Sequence, residues 1–226
     1  MTEIWGAIRT RLAGLGWDAL LADLQGPAPQ SELDALREEA GRDPPAHLTA
    51  SLQIHDGGAG RYRLIDPWDL LSASATAEKR RFMHGDFAAL LAKEGIDLRD
   101  GQEGRGPVRP VIWNDHWWPF ADDGTGNLLC VDDDPAEGGT HGQVILWSAD
   151  PPYVEVIAVD LREFFEWYHA GLAGEAYAFS EVDGVSQQGA RRMPLHVTER
   201  ATLTSPPDAV ARRSACACTR SQWAGP

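Results

Sequence analysis

Near residue 107 the apolar pattern of this chain changes period, and that change constrains the fold more than any other feature. Upstream, Ile4, Trp5, Ile8 and Leu12 recur at intervals of three and four, which places them on one face of a helix with Thr2 as its cap. SELD at residues 31–34 reads as a capping box with Asp in place of Glu, ahead of Leu33, Leu36 and Ala40. Pro44 and Pro45 suit the first turn of a third helix carrying Leu48, Leu52 and His55, and a glycine of HDGG at residues 55–58 stops it. Asp66 and Pro67 read as the cap and first position of a helix through WDLLS, and residues 76–95 as further helix broken near Gly85. Downstream, PVRPVIW, NLLCV, QVILW and YVEVIAV are short runs rich in Val, Ile, Leu and aromatics, punctuated by Pro, Gly and Asp, which is the grammar of strands and hairpins. Asp160 with Glu163 caps a last helix whose stripe is Leu161, Phe164, Phe165, Tyr168 and Leu172. Helices followed by strands predict an α+β fold, helices packed on a mainly antiparallel sheet.

Charge divides the chain a second time. Residues 1–186 hold 14 Arg or Lys against 32 Asp or Glu, net −18, while residues 187–226 hold 6 against 2, net +4. In a chain with 43% hydrophobic residues, the first part carries eight of the nine Trp and has the material for a core. The second loses all apolar periodicity and is biased to Pro, Arg, Ser and Ala, so we expect one domain over 1–186 and a disordered tail over 187–226. An acidic body repels phosphates and anionic lipid heads and attracts basic proteins, which argues against nucleic-acid and membrane partners. The N-terminus carries charges where a secretory signal needs an apolar core, and no segment has the roughly 18 apolar residues of a membrane span, so the expected location is cytoplasmic. Cys130 lies in a strand-like run, Cys216 and Cys218 form a C-x-C in the tail, and no zinc pair or disulfide framework is visible.

The chemistry-bearing residues concentrate in WWPFADDGTGNLLCVDDDP, residues 117–135. A calcium loop starting at Asp123 would put Leu128 at the sixth position, where Gly is needed, and Asp134 at the twelfth, where Glu is needed. Adjacent aspartates on a strand point to opposite faces, which works against convergence on one ion. Asp, Gly and Asn in ADDGTGN have an ordinary role in tight turns, bonding their own backbone or accepting positive φ. Gly124 and Gly126 lack the third glycine of a phosphate loop, no Gly-x-Ser-x-Gly elbow occurs, and the seven His form no ligand pair. We therefore expect no catalytic residue, no metal and no cofactor. Trp117 and Trp118 alternate across a strand, so one of them is a candidate for exposure, and an exposed Trp beside carboxylates has the composition of an interface.

The same run, continued through AEGGTHGQVILWSADPP and VIAVDLREFFEW, resembles the SMI/KNR-type domain of the SUKH superfamily, which includes fungal cell-wall regulators and bacterial toxin-immunity proteins. The resemblance rests on Phe120, Asp123, Gly124, Gly126, Asn127, Asp132, Asp134, Pro135, Gly142, Gln143, Val144, Trp147 and Phe164. In the N-terminal half it is looser, with Pro44, Pro45 and Leu48 for a Leu-Pro-x-x-Tyr element and HDG for His-Asn-Gly. It covers about residues 4–180 and implies an α+β domain without catalytic residues that works by binding another protein. Among bacterial members it implies an immunity protein that neutralises a basic toxin domain, often a nuclease; a regulatory scaffold for cell-wall synthesis is the alternative. A metal-dependent hydrolase using Asp122, Asp123, Asp132 and Asp134 is a third reading. The partner-binding candidates are Trp117, Trp118, Asp122, Asp123, Asp132, Asp133 and Asp134.

Overall fold

The computed structural model describes residues 1–174, 176–182 and 184–187. Four helices come first: α1 (Thr2–Gly14), α2 (Asp18–Asp23), α3 (Gln30–Ala40) and α4 (Ala46–Leu52). A two-residue strand β1 (Asp69–Leu70) leads into α5 (Ala73–Phe82), a π-helical turn (Met83–Phe87) and α6 (Ala88–Lys93). Then come β2 (Glu103–Arg105), β3 (Trp117–Asp122), β4 (Leu128–Asp132), β5 (Gln143–Ala149), β6 (Pro152–Ala158), α7 (Leu161–Ala173), β7 (Tyr177–Ser180) and β8 (Gly184–Gln187).

Six strands form one sheet in the order β1-β3-β4-β5-β6-β2, antiparallel except where β2 runs parallel to β6, and β7 pairs with β8 as a separate hairpin. The fold is thus α+β, as the change of period implied. Both faces of the sheet are covered. Trp118, Leu129, Val131 and Val144 join the core built with α1 and α7, whose stripe of Leu161, Phe164, Phe165, Tyr168 and Leu172 is buried throughout. Trp117, Leu128, Cys130, Ile145 and Trp147 face the other way, onto Met83 and Phe87 of the π-helical turn and onto Trp113. Burial on two sides is why the central strands read as continuous apolar runs rather than alternating ones.

Several local expectations needed revision. PVRPVIW is no strand: Pro107 and Pro110 withhold ladder N–H groups, a single bridge joins Val111 to Gly101, and the segment covers the second face with buried Val108 and Trp113. Its place at the sheet edge goes to Glu103–Arg105, whose charged and glycine composition gave no strand signal. Asp66 and Pro67 start no helix; β1 follows them, and the side chain of Ser72 caps α5 by accepting from Ala75 N–H at 3.0 Å. The break near Gly85 is a π-helical turn rather than an interruption. Thr2 and Ser31 lie inside their helices, which have no side-chain cap, whereas the Asp160 cap forms as expected, Oδ1 accepting from Glu163 N–H at 2.8 Å. In HDGG it is Gly57 that takes positive φ, 74°, and a Cβ there would lie 2.6 Å from the Leu70 carbonyl oxygen. The expected tail over 187–226 lies, beyond Gln187 of β8, outside the described residues, as do Cys216 and Cys218.

Candidate functional site

The register of β3 against β4 decides what the aspartates can do. Asp122 pairs with Leu128 at one end of the hairpin and Trp117 with Asp132 at the other. Four residues of strand separate the two acidic sets, roughly 14 Å, so Asp122 and Asp123 cannot share an ion or a proton with Asp132 to Asp134. Among the described residues no group of three His, Cys, Asp or Glu is placed to hold a metal ion.

Each set is engaged locally. Asp123, buried, accepts from Thr125 N–H at 2.8 Å, Thr125 Oγ1 at 2.8 Å, Asn127 N–H at 3.1 Å and Asn127 Nδ2 at 2.7 Å. Gly124 turns the chain at φ 75° and donates its N–H to Asp122, whose carboxylate also meets Lys79 Nζ at 2.6 Å. Asn127 in turn accepts from Ala149 N–H at 3.0 Å and so ties the turn to β5. This is turn chemistry, as the composition of ADDGTGN indicated.

Asp132 is 0% exposed. It accepts from Asp134 N–H at 2.9 Å and from Gln143 Nε2 at 2.8 Å, and Gln143 also donates to the Pro107 carbonyl at 3.0 Å. Burial pushes the Asp132 carboxyl above its ordinary range, and those two hydrogen bonds offset only part of the rise. For Asp134 burial again pushes upward, but hydrogen bonds from Arg109 and Asn114 and the Arg109 charge outweigh it, and the net shift is downward. Asp133 is the least engaged: its backbone N–H meets the His116 carbonyl, and its carboxylate lies 3.5 Å from Nδ1 of exposed His141.

The expectation that Trp117 or Trp118 stands exposed is overturned. They do face opposite sides, but both are 0% exposed, because helices cover one face and the π-helical turn with residues 107–113 covers the other. Trp117 packs edge-on to Trp113 at 5.6 Å, and Trp118 lies under the Arg80 guanidinium at 4.3 Å. Asp123 and Asp132 are likewise buried, which removes them as contact residues and leaves Asp133 and Asp134 as the more accessible members of the predicted set.

Two features had no sequence signal. Arg80 of α5 is 2% exposed; it donates to Glu39 at 3.0 Å and to the Asp115 and Trp117 carbonyls at 3.0 and 2.9 Å, joining α3, α5 and the entry to β3. Arg42 donates to the His116 ring alongside, and His84 lies 3.3 Å from Asp115. An open groove of about 780 Å³ runs beside this cluster, between α6 and residues 96–99 on one side and residues 109–116 on the other, with Asp134 at its rim. A smaller groove of about 360 Å³ lies between α3 and α5 and is lined by Glu32, Glu38, Glu39 and Arg81.

With this geometry in view, comparison with known proteins bears on the architecture as a whole. A curated relative from Schizosaccharomyces pombe (strain 972 / ATCC 24843), described as the cell wall biosynthesis/cell cycle regulator smi1, is 28% identical over 174 residues, 73% of this chain and 34% of the relative. The chain therefore spans about a third of that relative's length. The profile of the SMI1 / KNR4 family (SUKH-1) matches residues 27–167, which include both aspartate turns, the whole six-stranded sheet and the first half of α7. On that match the chain belongs to the SMI1 / KNR4 family (SUKH-1).

Proposed function

We propose that this chain is a non-catalytic, cytoplasmic protein-binding domain of the immunity type, which occupies the surface of a basic toxin domain and neutralises it. The supporting observation is how the motif's carboxylates are used: at the two ends of the β3–β4 hairpin they hold turns and strand ends, and so form no acid–base pair and no ion cage. A hydrolase reading needs two carboxyl groups in one cleft, and Asp122 and Asp123 lie roughly 14 Å from Asp132 along the strands. The net charge of −18 over residues 1–186 suits a basic partner, because complementary charge speeds encounter and competes with phosphate for the same cationic surface.

A regulatory role in cell-wall synthesis is the second reading, favoured by the description of the S. pombe relative. Co-expression with a co-encoded toxin separates the two: immunity requires growth rescue and a complex that co-purifies, and absence of both sinks it. The charge part is tested by Asp133→Lys, which should slow association at low ionic strength without altering folding, since a rim charge acts mainly on the on-rate. Asp132→Lys is the wrong probe, because a charge at that buried position would unfold the site.

A further inference from the structure

The groove beside α6 has the features of a docking site that the aspartate turns lack. α6 is six residues, AALLAK, and buries none of them; Leu90 is 40% exposed, and Ala88 and Ala92 lie along the groove. Half-buried Ile96, Leu98 and Val111 add the rest of its accessible apolar lining, over a floor of buried Trp113. At about 780 Å³ it has room for several side chains. Its charge is asymmetric once internal pairs are removed. Arg109 is taken by Asp134 at 2.6 Å, leaving Arg99 as the lining cation without an ion pair among the described residues. Against it stand Asp97, whose carboxylate accepts only the Arg99 backbone N–H, and Asp115, whose partner is the half-buried His84. Burial holds His84 below its ordinary pKa, so it does little to neutralise that carboxylate. Asp86 and Glu94 flank α6 against the single cation Lys93 at its end, and the surrounding body is net −18.

We infer that this groove receives an amphipathic segment of the protein partner, one that presents two or three apolar side chains to Ala88, Ala92, Ile96 and Val111 and carries Lys or Arg toward Asp97 and Asp115. The inference deepens the protein-binding reading by locating it, and it rests on that reading. Apolar contact supplies affinity, and the acidic rim selects the sign of the partner.

The test needs no cognate toxin, so a failed neutralisation assay and an unused groove are separate results. The full ¹⁵N-labelled chain is titrated with a synthetic amphipathic peptide of Leu and Lys, a Leu and Glu counterpart, and a Ser and Lys counterpart. The Leu–Lys peptide should shift the Ala88, Ala92, Ile96 and Val111 amides; the other two should not. Ala92→Gln, which occupies the groove without adding charge, and Asp97→Asn, which keeps the oxygen that accepts from Arg99 N–H, should together weaken binding about tenfold with an unchanged unfolding midpoint. Shifts that fall on the groove between α3 and α5 instead, that survive both substitutions, or that the Ser–Lys peptide reproduces would overturn the inference.

Discussion

At the scale of single residues, the acidic composition of this domain has two physical meanings. Asp23, Asp56, Asp123 and Asp132 are buried and accept backbone N–H groups, from Tyr62 at 3.1 Å, Ala73 at 2.7 Å, Thr125 at 2.8 Å and Asp134 at 2.9 Å, so they act as hydrogen-bonded anchors of the backbone, the last two within turns. Asp133 and its like decorate the outside. Asp123→Ala strands four donors and should lower the unfolding free energy by about 2–4 kcal/mol, whereas Asp133→Ala should stay within about 0.5 kcal/mol; denaturant titration of both variants compares them directly. Asp134 makes a separable prediction about pH. Its carboxyl is held below the ordinary value of 3.8, so its contribution is present above that value and lost as pH falls through the lower folded one. Asp134→Asn should therefore be less stable than the parent at neutral pH, and the gap should start to close only below about pH 4 and vanish once the pH is below the lowered folded value. Asp132 has the opposite sign, its raised carboxyl favouring the folded state in acid, and because the Asp134 charge adds to that rise, Asp134→Asn also lessens it.

At the scale of elements, the molecule depends on one helix being tied to both neighbours. Thr76 Oγ1 donates to the Pro119 carbonyl at 3.0 Å, and Arg80, one turn further along α5, donates to the Trp117 carbonyl and to Glu39 of α3. The bond from Thr76 occupies a carbonyl at the start of β3, where the register shifts between Pro119 and Ala121. Arg80→Met would keep an apolar side chain of similar length beside Trp118 but lose the guanidinium over its ring and leave Glu39 and two carbonyls without their donor. A loss of about 3–5 kcal/mol is expected, the usual cost of removing one partner from a buried charge pair. Calorimetric unfolding checks it, and Arg80→Lys should recover only part, since one ammonium cannot reproduce the fork that reaches α3 and β3 together. The π-helical turn belongs to the same system: it sets Met83 and Phe87 onto the second face of the sheet and delivers α6 to the groove.

At the scale of the whole molecule, a surface with a body charge of −18 predicts salt-sensitive association. Binding to a basic partner should slow as ionic strength rises from about 0.01 to 0.15 M, where the Debye length falls from about 30 to 8 Å, and stopped-flow mixing measures it. The α+β class, the four central strand runs save one, the stripe of α7 and the turn at ADDGTGN were legible because each depends on residues adjacent in sequence: period, capping and short-range hydrogen bonding are local physics. PVRPVIW misled because apolar residues that roof a sheet have the same composition as those within it, and only hydrogen-bond partners tell them apart. Likewise, alternation correctly put Trp117 and Trp118 on opposite faces but held no information about what covers each face. The register that parts the two aspartate sets, the Arg80 junction and the groove join residues far apart in sequence, as Arg80 and Glu39 are, 41 positions apart. The sequence by itself determined the class of fold and the local fate of its aspartates; what is buried, what is shared and what stays open to a partner was decided by tertiary packing, because exposure is a property of the neighbours a residue acquires and not of the residue.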